Sequence, residues 1–172
     1  MQQLIKVWLN ICLWRAAPQD LPASGMLLSL SLACYALVSM LLSLGSYGLA
    51  GAVQLALLDL GLLVVFVLSL LYLQGKTARI NQTLSALAGT GSLLGVFALP
   101  LIWWAEPGQQ PDQVPVLLTL FWLLLLVWNL LVMAHIIRHA LSSSVAVGLG
   151  VSLLYVLVSM QLIAALFPQQ VV

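Results

Sequence analysis

The chain has 172 residues, 63% of them hydrophobic and 5% charged, with five Lys or Arg against four Asp or Glu and a net charge of +1. Soluble domains carry about 25% charged residues. So few charges cannot coat a water-soluble fold, and a mean hydropathy of +1.17 makes the bilayer the solvent for most side chains. With no basic stripe to neutralise phosphates, nucleic acid is excluded as a partner.

In residues 1–24, Leu4, Val7, Trp8, Ile11 and Trp14 recur at helical spacing, with Gln3, Lys6 and Asn10 on the other side. This pattern predicts an amphipathic helix lying flat in the interface, anchored by Trp8 and Trp14; packing against the end of the bundle is compatible with it. Pro18 and Pro22 then interrupt it. The apolar stretch is too short and broken for a secretory signal peptide. Cys12 and Cys34 belong to no CxxC or Cys/His cluster and read as small packing residues.

Crossing the hydrocarbon takes about 20 apolar residues. Five runs qualify, at 26–44, 53–73, 83–104, 115–140 and 145–166. Lipid offers no partner to backbone amides, so the runs must be helical, and they lack the alternation of barrel strands. The predicted fold is all-α: a polytopic transmembrane bundle of five helices over residues 25–172, preceded by the amphipathic segment. The separators agree. Gly45-Ser46-Tyr47-Gly48 makes a short turn, Gly75 suits the position just past a helix end, and Glu106 to Gln113 is a polar loop. Pro115 suits a first helical position, Ser144 can cap the fifth run, and Pro168 stops it.

With five spans, Lys6, Arg15, Lys76, Arg79 and Arg138 share one face, while Glu106 and Asp112 fall on the other. This positive-inside pattern predicts a cytoplasmic N-terminus and an outer C-terminus, in a bacterial inner membrane. Trp103 and Trp104 then anchor the outer interface and Tyr72 the inner one.

Polar residues inside the spans are few. Asp59 lies about two turns below the outer edge of the second span, where a charged carboxylate costs on the order of 2.5–3.5 kcal/mol. It is either a proton or cation site or an interhelical hydrogen bond. Gln161 reaches a similar depth by residue count and is its expected partner; Asn129 reads as an interhelical hydrogen bond. His135 and His139 share a helix face, but no Cys or carboxylate accompanies them, so no metal site is expected. Gly91-Ser92-Leu93-Leu94-Gly95 and the series Ser144, Gly148, Ser152 mark close packing within the molecule, and Pro100 should kink the third span. No phosphate-binding, dinucleotide-binding, zinc-protease or nucleophile-elbow motif is present, so no catalytic residue and no cofactor are expected.

Two stretches carry a family resemblance: Trp14-Arg15-Ala16-Ala17-Pro18-Gln19-Asp20-Leu21-Pro22-Ala23-Ser24, and Gly75-Lys76 through Arg79-Ile80-Asn81-Gln82-Thr83-Leu84-Ser85-Ala86-Leu87-Ala88 followed by Pro100. With the five-span layout, they resemble small bacterial members of the Yip1-like family of membrane proteins. The Asp-Leu-Tyr-Gly signature of eukaryotic members is absent, Asp20-Leu21-Pro22 being at best a remnant, so Rab-type GTPase binding does not carry over. The resemblance implies a non-catalytic bundle that shapes membrane or binds partners.

The leading expectation is therefore a non-enzymatic membrane scaffold or partner-binding subunit, in contact with lipid and with a membrane-protein partner or further copies of itself. The alternative is a small transporter or ion-permeable protein using Asp59; an intramembrane enzyme comes third. No repeat is expected between the first and last spans, which weighs against alternating access.

Overall fold

The computed structural model describes residues 2–104 and 115–167, and their side chains except those of 2–4 and 103. These residues form five α-helices: α1 (Gln2–Cys12), α2 (Gly25–Leu73), α3 (Ile80–Trp104), α4 (Val116–Leu141) and α5 (Val145–Leu166). Short 3₁₀ turns at Pro18–Asp20 and Thr77–Arg79 lead into α2 and α3. Helices α2 to α5 are long and apolar enough to cross a membrane.

The first two predicted spans are joined in α2, which runs for 49 residues and is broken at one point, Gly48, with φ 64° and ψ −179°. No proline enforces an earlier stop, so Gly45 to Tyr47 remain helical. The chain folds back at Gly48. Ser39 and Asp59, twenty residues apart, are hydrogen-bonded at 3.1 Å; on a straight helix they would be about 30 Å apart. Just before the bend, Tyr47 meets Phe167 edge-on at 6.0 Å, tying this turn to the end of α5.

The other ends are tied more heavily. Gly75 takes a positive φ of 64° after α2, and the Lys76 N–H closes the helix end on the Leu71 carbonyl at 2.8 Å. The Lys76 ammonium donates to the Leu141 carbonyl, and Arg79 Nη1 donates to the carbonyls of His139 (3.1 Å) and Ala140 (2.9 Å) and to Ser142 Oγ (2.7 Å). These cations satisfy carbonyls that the end of α4 leaves unpaired and complement its dipole. Gln82 donates to the Leu21 carbonyl at 2.8 Å, bringing the start of α2 to the start of α3. Ser144 accepts from the Val147 N–H and caps α5.

The packed core sits at this basic end. In α4 the run Val132 to Ile137 is buried on all sides, and in α3 so is Thr83 to Thr90, because α1 and the Pro18–Asp20 turn cover them. Residues 119–128 of α4, by contrast, are mostly exposed.

Helix α1 corrects one expectation. Trp8 is 5% exposed and belongs to the core rather than to an interface. Its indole lies over Gly89, where an added Cβ would come within 2.2 Å of the ring. Ile11 and Cys12 are buried beside it, whereas Trp14 is exposed and stacks on His135 at 6.4 Å. Burial among apolar neighbours pushes the Cys12 thiol up to about 11. Trp104 and Tyr72 are exposed at helix ends. The Trp103 side chain, the loop with Glu106 and Asp112, and Pro168 lie outside the described residues.

Candidate functional site

Asp59 opens onto a cavity of about 320 Å³. Its polar lining comes from every long helix: Tyr35, Ser39 and Asp59 from the two arms of α2, Thr90 from α3, Asn129 from α4, and Tyr155 and Ser159 from α5. The aromatic ring of Trp122 adds a wall.

Helix geometry sets these groups at one level. Tyr35 and Tyr155 each stand ten residues into helices that start at Gly25 and Val145, about 15 Å from the basic end; Ser39 and Ser159 stand at about 21 Å. Counting back from Leu73 and Leu141, Asp59 is also at about 21 Å and Asn129 at about 18 Å. The polar groups thus form a belt half-way along the helices.

The carboxyl is held by neutral donors. Ser39 Oγ donates to Asp59 Oδ2 at 3.1 Å, and the Tyr35 hydroxyl is a second hydrogen-bond partner. Tyr155 packs on Phe66 with ring centres 4.5 Å apart, and its buried hydroxyl has no hydrogen-bond partner among the described residues. Thr90 and Ser159 turn their hydroxyls back on carbonyls of their own helices, Ala86 at 2.7 Å and Val156 at 3.0 Å. Among the described residues, no Lys, Arg or His lines the cavity.

The GxxxG of α3 explains how the walls approach. A Cβ at Gly91 would stand 2.9 Å from the Tyr35 ring, and one at Gly95 only 2.5 Å from Val38. The small residues are consumed by packing against the first arm of α2, which carries Tyr35 and Ser39.

Two of the three residues expected to form an intramembrane polar site therefore share this cavity, Asp59 and Asn129. Gln161 does not: it is exposed and absent from the lining, and the bond to Asp59 comes from Ser39 instead. Depth was matched but direction was not, since Gln161 follows Ser159 by two residues, about 200° around the helix.

Tyr35, Ser39, Tyr155 and Ser159 had no place in the sequence reading, although a signal for them is present. Tyr35-Ala36-Leu37-Val38-Ser39-Met40 and Tyr155-Val156-Leu157-Val158-Ser159-Met160 are the same Tyr-x-Leu-Val-Ser-Met segment. The first and last spans are thus related by a short repeat, contrary to expectation, and both copies put Tyr and Ser on the cavity.

A different cluster occupies the basic end. His135 Nε2 pairs with the Ala16 carbonyl at 3.0 Å, the His135 and His139 rings meet edge-on at 4.6 Å, and Arg138 Nη2 lies 3.2 Å from His139 Nε2. The two imidazoles are thereby engaged with the backbone and with a cation, and the Asp20 carboxylate acts on His139 through space.

Among known proteins, no family model matches the chain, and neither the curated proteins nor the solved structures contain a match to it.

Proposed function

We propose that the chain crosses its membrane five times, with the basic ends and the N-terminus on the cytoplasmic side, and binds a small organic ammonium solute beside Asp59. The layout is the one the Yip1-like resemblance implies, but the reading rests on the cavity. One observation carries it. A carboxyl group half-way along the helices shares a space of about 320 Å³, otherwise lined largely by apolar side chains, with polar groups that among the described residues are hydroxyls and one amide, and with aromatic rings.

A structural hydrogen bond alone needs no such space. A liquid-like water occupies about 30 Å³, so the cavity has room for a solute of several heavy atoms. It is too wide to wrap a bare alkali ion. An ammonium group supplies the positive charge that Asp59 lacks, and the aromatic side chains of Tyr35, Trp122 and Tyr155 line the space its methyl or methylene groups would occupy. In a low-dielectric site this pairing selects a cation over its neutral isostere. The scaffold reading has less support: the small-residue face of α3 is already covered by Tyr35 and Val38 of the same chain.

The test uses the full chain in lipid nanodiscs, titrated with choline, tetramethylammonium and the neutral choline isostere 3,3-dimethylbutan-1-ol, with binding read by calorimetry. Choline should bind more tightly than the neutral isostere by at least about tenfold, or 1.4 kcal/mol. Asp59→Asn should erase that preference while remaining folded, since Asn preserves the hydrogen bond to Ser39. Equal binding of choline and its isostere, or a preference that survives Asp59→Asn, overturns the reading.

A further inference from the structure

At the basic end of the bundle, Gln19, Arg138, His139, Ser142 and Ser143 line a second cavity of about 370 Å³. We infer that this cavity binds a phosphate group, as a mono- or diester, through Arg138 with Gln19, Ser142 and Ser143 around it. The inference is independent of the Asp59 cavity, which lies half-way along the helices.

The charge balance points to an anion. Arg138 brings a guanidinium whose Nη2 meets the His139 ring, while its Nε is buried without a hydrogen-bond partner. Ser143 Oγ is buried and unpartnered in the same lining. Arg79 stands at the rim, donating to Ser142 Oγ at 2.7 Å. Of the two described carboxylates, Asp59 is bonded to Ser39, and Asp20, whose Oδ2 accepts from the Ala17 N–H at 2.7 Å, acts on His139 through space but is not part of the lining. The lining itself thus holds donors and the Arg138 charge and, among the described residues, no carboxylate.

The backbone adds to this field. The Ser142–Ser144 link leads straight into α5, a helix of 22 residues whose positive dipole end faces this side. The left-handed Ser142, at φ 50° and ψ 45°, turns the chain here, and the Ser143 N–H closes back on the Arg138 carbonyl at 2.9 Å. Arg138 and Ser143 are therefore fixed relative to one another by the end of α4. A guanidinium and hydroxyl donors suit phosphate oxygens, which accept several charge-assisted hydrogen bonds at once. The cavity exceeds the size of a bare phosphate, so the group arrives as part of a larger molecule or with water. A lipid headgroup and a soluble phosphate ester share this chemistry, and basic pockets between helix ends at the cytoplasmic side suit the former.

The experiment separates these sources. The full chain is placed in nanodiscs of phosphatidylcholine alone, or with 20 mol% phosphatidylglycerol. Thermal unfolding is followed with and without 10 mM inorganic phosphate or glycerol 3-phosphate, and bound lipid is counted by native mass spectrometry. A rise in unfolding temperature and retained phosphatidylglycerol identify a lipid headgroup. A rise with the soluble phosphates in phosphatidylcholine identifies a soluble ester. In either case Arg138→Gln should weaken the effect at least tenfold, and Arg15→Gln, a basic residue outside the cavity, should leave it unchanged. Ser143→Asp, which supplies a carboxylate in place, should make unfolding insensitive to every probe and covers the case of an unfolded Arg138→Gln. The inference is overturned if no probe acts beyond the phosphatidylcholine baseline, if Arg15→Gln and Arg138→Gln lose the effect equally, or if Ser143→Asp responds like the parent.

Discussion

The bend at Gly48 creates the Asp59 site, because it returns the second arm of α2 alongside the first. Gly48 adopts φ 64° and ψ −179°, a region essentially reserved for glycine, yet a Cβ there would meet nothing within 4 Å. Gly48→Ala therefore changes backbone strain and little else, at a cost of about 1–3 kcal/mol. Gly45, three residues earlier, is helical and equally uncrowded. Gly45→Ala should act oppositely, stabilising by up to about 1 kcal/mol through helix propensity. For a chain of this size about 2–4 °C accompany each kcal/mol, so Gly48→Ala should lower the unfolding temperature by about 2–12 °C while Gly45→Ala raises it slightly. Thermal unfolding of both variants in one detergent, followed by tryptophan emission, measures the difference. If Gly48→Ala is as stable as Gly45→Ala, the backbone at the bend is not the strained turn described here, and the return of the second arm must be enforced by something else.

Gly89→Ala sets a Cβ within 2.2 Å of the Trp8 indole and should dislodge α1. Losing the burial of one indole costs up to about 4–6 kcal/mol, and the expected readout is red-shifted emission that is absent in a Trp8→Phe background. Arg79→Ala removes donors to two carbonyls and a hydroxyl and should destabilise by about 2 kcal/mol in denaturant titration, with Arg79→Lys intermediate. The Cys12 thiol, moved from 9.0 to about 11, should react with maleimide about 100-fold more slowly at pH 7.5 than a free thiol, in a Cys34→Ser background. Because its folded value is raised, its contribution to stability is complete below about pH 9 and is lost as pH rises through about 11. Rapid labelling of the folded protein would contradict the buried placement of Cys12.

The helices were legible because hydropathy and breakers act locally: Gly75, Ser144 and the apolar runs fall where helices end, begin and extend. The direction in which each helix faces was not. In α4 burial changes along the length, from mostly exposed at 119–128 to fully buried at Val132 to Ile137, so no 3.6-residue stripe marks a face. Lipid is as apolar as a packed core, and Leu or Val serves both. The same physics hid the fate of Trp8, since an indole suits an interface and a core alike, and only the missing Cβ of Gly89 makes room for it. For Asp59 the sequence marked a polar group and its depth, but the partner depends on rotation about the helix axis, which depth does not report.

The repeated Tyr-x-Leu-Val-Ser-Met segments sharpen what can be asked of that partner. Both arrive at the cavity from helices starting at the basic end, at equal depth, yet only one is joined to the carboxyl. Ser39 donates to Asp59, whereas Ser159 donates to its own helix at Val156. Two equivalent segments with unequal roles predict unequal coupling. In double-mutant cycles against Asp59→Asn, Ser39→Ala should show a coupling of about 0.6–1.7 kcal/mol, the range of interhelical hydrogen bonds in membranes. Ser159→Ala should show none. A solute that draws Asp59 away from Ser39 toward the α5 side, where the Tyr155 hydroxyl is unpartnered, should reduce the first coupling and raise the second. Equal couplings in the absence of solute would mean that the two segments serve Asp59 alike, and that the asymmetry of the cavity is not built into its resting state.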